Sequence, residues 1–104
     1  MGTRVIFVAL AVLVIGLIFW ARQHDKTLRD GAAQVQLGDP NEVVRDLMGD
    51  PSHQGACGSM TAMPNGCSEE YVYRYAFSIL RPEYEVVWFD SSGKVIGETR
   101  VVSP

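Results

Sequence analysis

The sequence predicts an α+β protein: an N-terminal transmembrane helix, then a small α-α-β-β-β domain whose sheet is a three-stranded antiparallel meander. Three observations predict it. An uncharged apolar run opens the chain, a short helix with marked ends follows at residues 40–48, and from Glu70 the apolar period changes from helical to two.

The anchor comes first. Val5 to Ala21, "VIFVALAVLVIGLIFWA", is 17 residues without a charge. As a helix it is ~25 Å long at ~1.5 Å per residue, the short end for a hydrocarbon core of ~30 Å. Arg4 and Arg22 bracket it and can reach toward headgroups. Trp20 stands where an interfacial aromatic belongs. A cleaved signal has a shorter apolar region and a small-x-small exit. Here the exit reads "IFWARQ", so an uncleaved signal-anchor over residues 1–22 is expected. Gly2 does not make a myristoylation site, because Ile6 stands where Ser or Thr is needed.

Residues 22–104 hold eight basic and all twelve acidic residues, a net charge of −4. This balance excludes a basic footprint for nucleic acid. The length supports one small domain with a thin core. Counting Lys and Arg beside the anchor places that domain inside the cell; the short N-terminal tail argues for the outside.

Residues 23–36 read as a juxtamembrane stalk, either extending the anchor helix or leading into a short helix around 27–36. Leu28, Ala32 and Val35 have helical spacing, and Gly31 weakens that helix by ~1 kcal/mol relative to Ala. The folded domain is expected over residues 37–104. In "LGDPNEVVRDLMGDP", Asp39 is a good N-cap, Pro40 suits the first helical position, and Glu42 completes a capping box. Val43, Val44, Leu47 and Met48 form the apolar stripe. Gly49 and Pro51 stop the helix. The stretch lacks the lysine of a phosphate loop and the spaced glycines of a dinucleotide turn.

Residues 52–68 are a loop by composition. Strands are expected at about 70–78, 83–90 and 94–102, the last two joined through "SSG" at 91–93. Tyr71, Tyr73, Tyr75 and Phe77 share one face of the first strand, opposite Val72 and Ala76. Tyr84, Val86 and Trp88 alternate with Val87 and Phe89 in the second. Both faces are apolar, and two short helices can cover only one. Tyr71, Tyr73, Tyr75, Tyr84 and Trp88 are therefore a candidate partner surface, with ordinary core packing as the plainer reading.

Cys57 and Cys67 are the only cysteines, and His53 precedes the first by four. The three offer metal ligands without a fourth and match no common zinc spacing. A disulfide is the simpler reading outside the cytoplasm. Closing a loop of about 11 residues stabilises a fold by roughly 2.5–3 kcal/mol. Free thiols belong to the cytosolic alternative. Asp39, Asp46 and Asp50 are accounted for by the helix and its ends, and no nucleophile–base pair is evident. No enzyme activity, cofactor or metal is expected.

The spacing of Gly38, Val44, Gly49 and Pro51 resembles the G-x-t-x-x-x-V-x-x-x-x-G-x-P helix of the SmpA/OmlA (BamE-like) family of small envelope proteins. "YVYRY" resembles that family's aromatic-x-Tyr-x-aromatic strand. "VVWFDSSGKV" resembles its hairpin, with Phe89, Asp90, Gly93 and Val95 on matching positions. The resemblance covers about residues 28–102. It implies an α-α-β-β-β fold in the bacterial periplasm and a non-enzymatic role binding a protein partner, in outer-membrane or envelope assembly. Family lipoproteins carry a lipobox cysteine after the signal; here none precedes Cys57. The expectation is a single-pass inner-membrane protein with its C-terminal domain in the periplasm. The alternatives are a ligand- or metal-sensing domain using His53, Cys57 and Cys67, and an inhibitor-like module presenting its sheet to an enzyme.

Overall fold

The computed structural model describes residues 2–77 and 81–102. It has two helices, α1 (Gly2–Gln34) and α2 (Asn41–Met48), and four strands, β1 (His53–Gly55), β2 (Glu69–Arg74), β3 (Glu83–Phe89) and β4 (Val95–Val102). The strands pair antiparallel in the order β1-β2-β3-β4. The class is α+β as the sequence predicts, but the sheet has four strands rather than three. The added strand, β1, lies in the stretch read as loop. It pairs His53 with Val72 and Gly55 with Glu70. A three-residue strand carries no periodic signal, so only the open edge of β2 defines it. The first expected strand ends at Arg74, although Tyr75 N still donates to Glu83 O at 3.0 Å. Residue 78, its expected end, lies outside the described residues.

α1 joins what the sequence separates into an anchor and a second helix. Nothing in "QHDKTLRD" breaks a helix, so the apolar run continues through it. The helix is long and apolar enough near the N-terminus to cross a membrane. The apolar run stands clear of the domain, and the chain extends 63 × 29 × 19 Å. From Ala21 one face becomes buried, through Asp25, Leu28, Gly31 and Ala32. That spacing follows the helical period. The upper part of α1 thus serves as the first helix of the α-α pair.

α2 forms where expected, but Asp39 does not cap it. Pro40 holds the cap position in extended backbone, with no side-chain cap. The connection from α1 is drawn alongside the β3–β4 hairpin instead. Gly38 N donates to Val95 O, Val95 N to Asp39 O, and Asn41 N to Gly93 O at 2.8–2.9 Å. Asp39 Oδ2 accepts from Gln36 N at 2.9 Å. Tertiary backbone pairing has replaced the capping box, since Gly93 satisfies a donor the cap would have served. At the other end Gly49 takes φ +84° and its N–H donates to Arg45 O at 2.8 Å.

The core has two layers. Leu28, Ala32, Val35, Val44 and Met48 from the helices meet Tyr71, Tyr73, Tyr75, Val87, Phe89 and Val95. On the opposite face Val72, Val86 and Trp88 pack against Cys57, Met60 and Cys67, with Tyr84, Ile96 and Val101 beside them. The helices therefore are not the only cover: the stapled segment from Cys57 to Cys67 closes the second face.

Candidate functional site

The tyrosine row is buried under the helices and is not a surface. Tyr71, Tyr73 and Tyr75 are 1 %, 1 % and 3 % exposed. Their rings fill the core while their hydroxyls find partners at its rim, as buried tyrosines require. Arg45 Nε donates to Tyr71 OH at 3.2 Å, Tyr73 OH donates to Gly49 O at 2.9 Å, and Tyr75 OH donates to Glu85 Oε1 at 2.7 Å. Burial holds the Tyr73 and Tyr75 hydroxyls well above their ordinary range, with the Glu85 hydrogen bond adding at Tyr75. Trp88 is buried beneath the stapled segment and Tyr84 is half-buried. The sequence could not assign these faces to a cover, because it gave no helix-like signal for the segment over the second one.

The residues that carry the family resemblance occupy structural positions. Val44 is fully buried in the helix layer, and Phe89 packs on Tyr71 with ring centroids 4.5 Å apart. Asp90 Oδ1 accepts from Ser92 N, Ser92 Oγ and Lys94 N at 2.7–3.0 Å. Those hydrogen bonds hold the Asp90 carboxyl below its usual range, Ser92 most of all. Gly93 turns the hairpin at φ +77° and Gly38 stands at φ +89°. Pro51 follows the helix stop, half-buried.

Cys57 and Cys67 form a disulfide with Cα atoms 6.2 Å apart. Both sulfurs are thereby occupied, and His53 is exposed on β1. The His53–Cys57–Cys67 metal set is not formed. Among the described residues no group of three or more His, Cys, Asp or Glu side chains could hold a metal ion.

Two carboxylates that sequence reasoning passed over organise the molecule. Glu70 is fully buried and accepts from Gly58 N at 3.3 Å, Ser59 N at 3.1 Å and the Ser59 hydroxyl. It pins the stapled segment to the sheet beside the disulfide. Its signal was a charge on the same strand face as Val72. Asp25, on the buried face of α1, accepts from Ala76 N at 2.6 Å and Phe77 N at 3.1 Å. His24 Nε2 lies 3.2 Å from Arg74 O, and its ring stacks on Trp20 with centroids 5.3 Å apart. Asp25 sits three before Leu28 and seven before Ala32, a spacing that marks it as inward-facing.

Two surface features stand out on the domain among the described residues. Beyond Val95, the outer edge of β4 pairs with no strand among the described residues. Beside the Asp25 clasp, Arg22, Asp25, Lys26, Arg29 and Phe77 line a cleft of about 390 Å³. No family model, curated protein or solved structure matches the chain.

Proposed function

We propose that this chain is a non-enzymatic envelope protein that crosses the bacterial inner membrane once and holds a small periplasmic domain that binds a protein partner, in outer-membrane or envelope assembly. The observation that carries the reading is the join between anchor and domain. α1 passes without a break from the apolar run into the core, and Asp25 clasps the chain after β2. A flexible stalk would leave the domain free to sample many orientations. Here its height and orientation are fixed relative to the anchor. A preoriented surface loses less freedom on binding, so the same contacts give tighter association.

The Cys57–Cys67 disulfide supports an oxidising compartment. The spacing of Gly38, Val44, Gly49, Pro51, Phe89, Asp90 and Gly93 supports the SmpA/OmlA-like reading. With the tyrosine row withdrawn into the core, the docking surface passes to the open edge of β4, Gly97–Val102, where an extended partner segment can add as a strand. Glu98 and Arg100 are exposed there and restrict indiscriminate pairing.

Two measurements test this reading. A C-terminal reporter fusion should report the periplasm; a cytoplasmic C-terminus removes both the location and the reason for the disulfide. A photo-crosslinking residue at Glu98 or Val102 should capture one protein in intact cells, and the same residue at Glu42 on α2 should not. Equal capture at all three positions, or none at any, rejects the β4 edge as the docking surface.

A further inference from the structure

The free edge of β4 carries a charge order as well as open backbone. Tyr75 N donates to Glu83 O and Ser68 N to Phe89 O, so the odd-numbered residues of β3 turn their peptide groups toward β2. Peptide groups alternate along a strand, so those of Tyr84, Val86 and Trp88 face β4, opposite Val101, Thr99 and Gly97. The N–H and C=O groups of Glu98, Arg100 and Val102 therefore point away from the sheet. The chain already uses this edge once, where Gly38 N donates to Val95 O and Val95 N to Asp39 O. That pairing stops short of Glu98. The side chains of Glu98, Arg100 and Val102 share one face, that of Val87, Glu85 and Glu83 across the ladder. Arg100 pairs with Glu83 and lies over the Tyr75 ring at 4.9 Å. Glu98 enters neither ion pair found among the described residues. Partial burial and, after it, the charge of Glu85 hold its carboxyl above the usual carboxylate range.

We propose that this edge takes an extended segment of another protein, added antiparallel, with an apolar residue opposite Val102, an acidic one opposite Arg100 and a basic one opposite Glu98. Antiparallel pairing reverses the order, so the segment reads apolar-x-acidic-x-basic. Directly opposed side chains have Cβ atoms ~5 Å apart, within reach of a charge pair, and like charges there are repelled. The basic residue supplies the cation that Glu98 lacks. Parallel addition would require the reverse charge order and gives the weaker ladder. A second copy of this chain carries the matching order, because Glu98 and Arg100 of two copies pair crosswise. Its anchor excludes it. α1 lies along the sheet, with Asp25 at Ala76 and Phe77 past one end of β2 and Gly38 at Val95 toward the other. A two-fold axis joining two β4 edges antiparallel stands normal to the sheet and would point the two anchors in opposite directions. Two copies held the same way in one bilayer cannot pair so. Val102 lies at the anchor end of β4, opposite Glu83, so the partner segment runs away from the membrane. The proposal rests on β4 as the docking edge and adds the chemistry and direction of what docks there.

The test titrates the isotope-labelled full-length chain in nanodiscs with capped synthetic peptides and follows its amide resonances. The matched peptide is TVTETKT and the charge-exchanged one TVTKTET. Each opposed charge pair is worth up to about fivefold, so exchanging both charges should weaken binding roughly tenfold. The matched peptide should shift the amides of Glu98, Arg100 and Val102 and slow their hydrogen exchange. Glu98→Lys, an exposed change, should reverse the preference at one position, binding TVTETET more tightly than TVTETKT. Equal affinity for the matched and exchanged peptides, tighter binding of the exchanged one, or an unchanged preference in Glu98→Lys overturns the proposal while β4 still stands as a docking edge. Shifts at the same amides that grow with protein concentration in the absence of peptide also overturn it, in favour of a second copy. No response at β4 to any peptide overturns the docking edge and this proposal together.

Discussion

Replacing Gly31 with alanine should destabilise the domain, although local helix propensity argues the reverse. Gly31 lies in α1 where it crosses α2. A Cβ there would stand 2.5 Å from Leu47 O, 2.8 Å from Met48 Cγ and 3.0 Å from Leu47 C. Comfortable separations are ~3.5 Å or more, so the two helices must part by about 1 Å. Met48 can rotate its side chain, but the Leu47 carbonyl is helix backbone. α2 is also held at both ends, by Asn41 N to Gly93 O and by Tyr73 OH to Gly49 O. Alanine gains ~1 kcal/mol in helix propensity. Overpacking costs ~1–3 kcal/mol, and a backbone obstacle places it at the upper end. The expected net effect is a loss of about 1–2 kcal/mol. Urea unfolding of the full chain in detergent micelles measures it, in a Trp20→Phe background so that Trp88 alone reports. Gly16→Ala is the control, since nothing lies within 4 Å of a Cβ there. Domain stability equal to or above the parent in Gly31→Ala would refute the close crossing.

Three further outcomes are expected. Gly49 combines φ +84° with ψ −166°, a region essentially restricted to glycine; the strain of ~1–3 kcal/mol, added to a poor fit for a β-branched side chain, should unfold a Gly49→Val domain. A folded but inactive Gly49→Val domain would mean that the residue acts in recognition rather than in ending α2. The double variant Cys57→Ser, Cys67→Ser should lose roughly 2.5–3 kcal/mol and shift Trp88 emission to the red as the stapled segment loosens; unchanged emission shows that Glu70 alone keeps the second face covered. Asp90 has a folded-state pKa below its unfolded value, so its stabilisation is present above ~3.9 and disappears as pH falls through the lowered value. The stability gap between the parent and Asp90→Asn, measured in urea, should therefore narrow in acid; a gap independent of pH removes the hairpin role of the charge.

Much of the fold was legible because its signals are local. The apolar run, the stripe of Val43, Val44, Leu47 and Met48, the alternation after Glu70 and the Asp90–Gly93 turn each depend on residues within a few positions of one another. Those features define the apolar helix, α2, three strands and one hairpin. That one helix runs on from residue 22 to Gln34 was less legible, because polarity changes there while helix propensity does not. The N-cap at Asp39 failed for a different reason: a backbone carbonyl from Gly93, more than fifty residues on, supplied the acceptor.

The sequence by itself determined that an apolar helix precedes a small α+β domain, that the sheet is apolar on both faces, and that two cysteines are available to one another. Only the tertiary structure decided which cover each face receives, that the tyrosines are core, and that Gly31 is a contact rather than a weak point. The physical reason is range. Asp25 meets Ala76 and Phe77 across more than fifty residues, and Glu70 meets Ser59 across eleven. Periodicity tells which side of an element is apolar, while the group that satisfies a buried carboxylate or leaves room for no Cβ comes from another element altogether.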